Sequence, residues 1–132
     1  MILKKLLKRW LVFSIHMFKK HTISFKNAFN GLVWSLKTQP NYRIHLSLSL
    51  LALGLGFLLK ISYIEYLIII LLITVGLVIE TLNTAIEAAT DAIDTKIRED
   101  IRITKDVSAA AMLIYAIGAT ITALIIFIPK FI

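Results

Sequence analysis

From Tyr66 to Ile79 the chain carries no charged side chain, and it does not then close in a polar cap or a basic flank. It runs straight on through Glu80-Thr81-Leu82-Asn83-Thr84-Ala85-Ile86-Glu87-Ala88-Ala89-Thr90-Asp91. At about 100° per residue, Glu80, Asn83, Glu87 and Asp91 fall within roughly 80° of one another, so one helical face holds all four. The other faces carry Leu82, Ile86, Ala89 and Ile93. Ionisable groups at membrane depth face a bundle interior or a wet cavity and mark a function. A bland alternative is snorkelling of helix-end charges into headgroups. The aligned set argues against it, because acids gain nothing from an anionic surface and repel one another unless a cation sits between them.

The composition fits a membrane setting. Hydrophobic residues make up 58% of the 132-residue chain, and the mean hydropathy is +0.84, too apolar for an ordinary soluble domain. The expected class is an all-α membrane protein forming a single integral membrane domain over residues 1–132. Cysteine is absent, which excludes disulfides, thiolate metal sites and a Cys nucleophile. The net charge of +7 is uneven: the first acidic residue is Glu65, and a basic arm precedes it. Its Lys and Arg are interleaved with Leu, Trp, Val, Phe and Ile, which suits a lipid surface rather than nucleic acid.

Residues 1–38 read as that interfacial arm. Ile2, Leu3, Leu6, Leu7, Trp10 and Leu11 alternate at helical period with Lys4, Lys5, Lys8 and Arg9, and Lys19-Lys20-His21 stands where a signal peptide would have a cleavage site. A second amphipathic stretch sets Phe25, Phe29, Leu32, Val33 and Leu36 against Lys26, Asn30 and Lys37, and Pro40 ends it. Three spans are expected at about 42–59, 66–93 and 107–128, the first marginal against the ~20 residues a crossing needs. His45 has no second ligand at helical spacing, so it is read as bonding a neighbouring helix rather than a metal. Tyr63 and Tyr66 form an interfacial belt, and 94–104 reads as a charged surface connection. The basic arm, Lys96, Arg98, Arg102 and Lys105 lie on one side, against Lys60 and Lys130 on the other. The N-terminus and the second loop are therefore expected in the cytoplasm, with the C-terminus outside.

This orientation sets the acidic face at the inner interface, where nucleotide and metal are available. Two Glu and an Asp suit a hard cation, and magnesium takes one or two carboxylates plus substrate phosphate oxygens. Glu87 is well set as a ligand. Glu80, nearest the hydrocarbon, is the candidate base toward a hydroxyl arriving from the lipid. Lys105 and Asp106 open the third span and offer positive charge to a phosphate. The glycines, at 31, 54, 56, 76 and 118, form no P-loop, so any phosphoryl transfer must use carboxylate, metal and lysine. Small residues Ala85, Ala88, Ala89 and Ala92, then Ser108 to Ala111, allow close helix approach. Three spans cannot enclose such a site alone, so oligomerisation is expected.

The pattern Glu80-x-x-Asn83-x-x-x-Glu87-x-x-x-Asp91, followed by Lys105-Asp106-x-x-Ala109-Ala110, resembles the prokaryotic diacylglycerol kinase and undecaprenol kinase family. The likeness extends back through Phe25, Ala28, Gly31-Leu32 and Asn41-Tyr42-Arg43-Ile44-His45, over about residues 20–130. It implies a homotrimer of three-span subunits with a surface helix, a cell-membrane location, and transfer of the ATP γ-phosphate to a lipid hydroxyl at subunit boundaries. It also implies Glu80 as catalytic base, Asn83 as a polar site residue, Glu87 as magnesium ligand, and Asp91, Lys105 and Asp106 lining the nucleotide site with Glu99 beside it. Two positions depart from the family. Gln39 stands where a metal-binding Glu is common and can offer only a carbonyl oxygen, and Asn27 replaces a frequent aromatic. The Asn-Tyr-Arg-Ile-His run ranks undecaprenol above diacylglycerol as acceptor. The rival class is a non-enzymatic oligomer whose acidic ring attracts cations.

Overall fold

The computed structural model describes residues 10, 23–94 and 98–132. The stretch of the arm before residue 23, apart from Trp10, and Lys96 with Ile97 in the second loop, lie outside the described residues. Every described element is helical: α1 (residues 23–38), α2 (Pro40–Leu58), α3 (Tyr63–Ile93), α4 (Glu99–Phe127) and a 3₁₀ turn, Ile128–Lys130. The chain divides between Lys37 and Thr38 into two units. In the first, the helix displays Phe25, Phe29 and Leu32 on its surface.

The second unit holds α2, α3 and α4, with α3 packed against both of the others. Each helix start and stop has a local cause. Pro40 occupies the first turn of α2, where its missing N–H costs nothing, and Gln39 is extended at the N-cap. At the other end Lys60 takes φ 51°, its N–H donates to the Phe57 carbonyl at 3.3 Å, and the Ile61 N–H donates to the Gly56 carbonyl at 3.1 Å. This is a Schellman stop with lysine where glycine is usual. The apolar contact that accompanies it is present too: a Cβ on Gly56 would stand 2.9 Å from Ile61 Cδ1, so the missing side chain makes the seat for Ile61.

Ser62 opens α3 three residues ahead of the expected span. Its hydroxyl accepts from the Glu65 N–H at 3.3 Å, and its own N–H donates to Glu65 Oε2 at 2.6 Å, a reciprocal capping box. Lys130 Nζ reaches Glu65 Oε1 at 3.0 Å, so α4 ends beside the start of α3 and the two run antiparallel. Between them Tyr115 donates its hydroxyl to the Leu72 carbonyl. A methyl on Gly76 would meet that ring at 2.5–2.6 Å, so only glycine lets α4 come this close. An apolar core of Ile61, Ile69 and Ile126 fills this end of the unit. The buried residues of α3 then change character toward its C-terminus, from Ile69 and Gly76 to Glu80, Asn83, Thr84 and Thr90.

α4 begins at Glu99, inside the stretch read as a surface connection. Glu99 and Asp100 in its first turn complement the helix dipole, and an Arg98–Asp100 pair at 2.6 Å braces the entry. Among the described residues, α3 and Glu99–Lys130 are long and apolar enough to cross a membrane. α2 falls short of that measure, with Asn41, Arg43 and His45 in its first two turns.

Candidate functional site

The site grows from the buried stripe on α3. Glu80 is 2% exposed and Asn83 6% exposed, although a carboxylate and an amide are costly to bury without partners. Both have them. Asn83 Nδ2 donates to Glu87 Oε1 at 3.0 Å, one turn along α3, while Asn83 Oδ1 accepts from Ser108 Oγ on α4 at 2.6 Å. Each half of the amide is thereby committed, which fixes its orientation and holds the Glu87 carboxylate in one place. Glu80 Oε2 lies 3.9 Å from His45 Nε2 of α2, at ion-pair distance and beyond a direct hydrogen bond. His45 thus faces a neighbouring helix, but the hydrogen bond expected of it is not made at this distance.

Further toward the C-terminus of α3, Lys105 Nζ meets Asp91 Oδ1 at 2.5 Å, joining α4 to α3 a second time. Asp106 and Glu99 are held along α4 by one guanidinium: Arg102 donates to Glu99 Oε1 at 2.6 Å and to Asp106 Oδ2 at 2.8 Å. The Glu99 carboxylate first, and Asp106 after it, raise the pKa of Arg102 above its already high value. The hydrogen bonds from Arg98 keep the Asp100 carboxyl below the usual range. Gln39 is half-buried at the head of α2, and its side chain makes no capping bond.

The structure therefore joins Asn83 with Glu87, Asp91 with Lys105, and Glu99 with Asp106, and it sets Glu80 against His45. Ser108 and Arg102 belong to these networks, and sequence reasoning had read the first only as a small residue and the second only as a topology signal. Their spacing was the available clue, since Arg102, Lys105 and Ser108 recur every third residue on α4. The alanines expected to bring helices together do not do so within one chain: Ala85, Ala88, Ala89 and Ala109 to Ala111 are exposed, and only Ser108 of that set is buried between α3 and α4.

Beside the site, α2, α3 and α4 enclose an apolar groove of about 350 Å³. His45, Ile73 and Tyr115 line its end nearest the site, and Leu55, Ile69 and Phe127 line the far end. The donor set at the site is all hard oxygen apart from His45 and the cations. Among the described residues no group of three or more His, Cys, Asp or Glu forms a metal cage.

Long apolar helices with a buried carboxylate and amide toward one end of the pair have the make-up of a helical membrane protein with a polar site. Comparison with known proteins narrows the class. The family model for prokaryotic diacylglycerol kinase matches residues 26–127. The undecaprenol kinase of Bacillus subtilis strain 168 is 37% identical over 107 residues, covering 81% of this chain and 87% of that enzyme. The diacylglycerol kinase of Synechocystis is 31% identical over 108 residues, covering 81% of this chain and 62% of that enzyme. The chain belongs to the prokaryotic diacylglycerol kinase family, and it is an enzyme of the lipid kinase class rather than a non-enzymatic cation-binding oligomer.

Proposed function

We propose that this chain transfers the γ-phosphate of ATP to the hydroxyl of a membrane lipid alcohol, with undecaprenol as the acceptor. The observation that carries the reading is the stripe of buried Glu80 and Asn83 with half-buried Glu87 on one face of α3, tied to α4 through Ser108 and adjoining the Lys105–Asp91 pair. Phosphoryl transfer asks of a protein mainly positioning and charge stabilisation, which this arrangement is built to give. Glu80 is the base. It stands about 26 Å along α3 from Tyr63, close to the edge of a hydrocarbon core ~30 Å thick, where a lipid hydroxyl can reach it. Asn83 fixes Glu87, and Glu87 with the Gln39 carbonyl would hold magnesium. Magnesium takes one or two carboxylates and completes its shell with water and substrate phosphate oxygens. When bound, magnesium supplies charge neutralisation at those phosphates.

Lys105 turns from Asp91 to a phosphate at small cost, since a solvent-exposed ion pair is worth only about 0–1 kcal/mol. Asp91, Asp106 and Glu99 line the nucleotide side. The apolar groove beside His45 accommodates the lipid chain. In this reading α2 is a third span, the N-terminus is cytoplasmic and the C-terminus outside. The exposed alanine faces of α3 and α4 meet other copies in a homotrimer.

Undecaprenol is favoured by the 37% identity to the Bacillus subtilis enzyme and by the Asn41 to His45 run. The Synechocystis relative supports diacylglycerol as a second reading. Purified protein in mixed micelles with ATP and magnesium, given undecaprenol and diacylglycerol in parallel, decides between them. Faster turnover of undecaprenol is expected, and a diacylglycerol preference reverses the ranking. Glu80→Gln should lose about 10²- to 10⁴-fold in rate, and near-normal turnover would remove Glu80 from its role. Gln39→Glu should lower the magnesium concentration at half-maximal rate, and superimposable titrations would remove Gln39 from the metal site.

A further inference from the structure

A base buried as deeply as Glu80 has to be discharged after every turnover. Its side chain is 3% exposed, whereas that of His45, 3.9 Å away, is 24% exposed and lines the groove at the end nearest the site. His45 therefore has one edge toward the carboxylate and another toward space that small molecules can enter. The other titratable groups near the pair are Glu87, which repels the Glu80 carboxylate from the same helix, and Tyr115 of α4, whose hydroxyl is committed to the Leu72 carbonyl. Neither is free to accept a proton from Glu80 in the way a neutral imidazole is.

We propose that His45 is a positioning residue that faces Glu80 from α2 with an unprotonated Nε2 and takes its proton between turnovers. The inference rests on the reading of Glu80 as the base of a lipid kinase. In the transfer step the lipid hydroxyl oxygen bonds to the γ-phosphorus, the bond from that phosphorus to the β,γ-bridging oxygen breaks, and the electron pair leaves with ADP. The hydroxyl proton goes to Glu80 Oε2. A side-chain rotation then closes the 3.9 Å gap to a hydrogen bond. The proton passes to His45 Nε2, and the imidazolium releases a proton to water, leaving the carboxylate ready for the next lipid.

The test compares wild type, His45→Ala, His45→Gln and Glu80→Gln in micelles at saturating ATP and lipid, with and without added imidazole. His45→Ala should lower kcat about 10-fold or more, less than the ~10²- to 10⁴-fold expected from loss of the base itself. KM for the lipid should stay within about twofold. Imidazole should restore most of the lost kcat to His45→Ala, because removal of the side chain leaves a space of that shape beside Glu80, and none to Glu80→Gln. A merely structural histidine gives a loss that imidazole does not restore, and that result overturns the proposal. Wild-type kcat in either His45 variant overturns it as well, and His45→Gln keeps a polar side chain there should the alanine variant not fold. If wild type itself shows no lipid-dependent ATP turnover, the kinase reading falls and takes this inference with it. An active wild type with unaltered His45 variants removes only the role of His45.

Discussion

Ser108 contributes one hydroxyl, yet it decides how Asn83 is oriented, because its 2.6 Å bond claims Oδ1 and leaves Nδ2 for Glu87. Ser108→Ala leaves a buried carbonyl oxygen without that donor, which costs about 1–3 kcal/mol. It should lower the stability of the purified protein in detergent by that order, measured by denaturant unfolding. It should also raise the magnesium requirement, because Glu87 loses its fixed orientation, and Ser108→Thr should largely restore both. The acidic half of this site was legible in the sequence because Glu80, Asn83 and Glu87 share one helix, where the 3.6-residue period alone sets them on one face. Ser108 and His45 were not legible as members, since their partners lie on other helices and no spacing within one segment reports a contact across two.

The helix ends divide in the same way. Pro40 and the Pro129-Lys130 stop could be read directly, because proline acts on its own backbone. The capping box at Ser62 and Glu65 starts α3 ahead of the apolar run, and the acidic first turn starts α4 at Glu99, within a segment whose charge read as loop. Charge marks exposure, and an exposed helix turn is as polar as a loop. Glu65, ahead of the apolar run, also gives this end of the unit a pH dependence. The Ser62 N–H first, then Lys130, hold its carboxyl down to about 2, from an ordinary value of 4.5. A depressed pKa means that the unfolded chain binds the proton more readily. The stabilisation is therefore fully present above about pH 4.5 and is lost as pH falls through about 2. Thermal unfolding of wild type and Glu65→Gln in detergent should differ most at pH 5 and above, with the gap closing toward pH 2. A constant gap would mean that Glu65 contributes packing rather than charge.

Within one chain, only 17% of the most apolar window of α3, and the same share for α4, is buried. Large side chains such as Leu71, Leu113, Ile114 and Ile125 lie on the surface, as they should where the surrounding solvent is lipid. That the apolar core clusters at the Ile61, Ile69 and Ile126 end was not legible beforehand, because hydropathy is equally high on lipid-facing and core-facing sides. The Asn83–Ser108 bond also bears on how the chain is made. While α3 has left the ribosome and α4 has not, the Asn83 carbonyl has no donor from α4, and the face beside it has no cover. Until α4 follows, the polar stripe at the end of α3 has only water and headgroups for partners, and integration of α3 is expected to be more stable once Ser108 has been synthesised. Chains truncated after Arg98 should therefore integrate less efficiently than full-length chains in a cell-free membrane insertion assay scored by alkaline extraction. Asn83→Leu should recover part of the deficit in the truncated chain and bring no benefit to the full-length one.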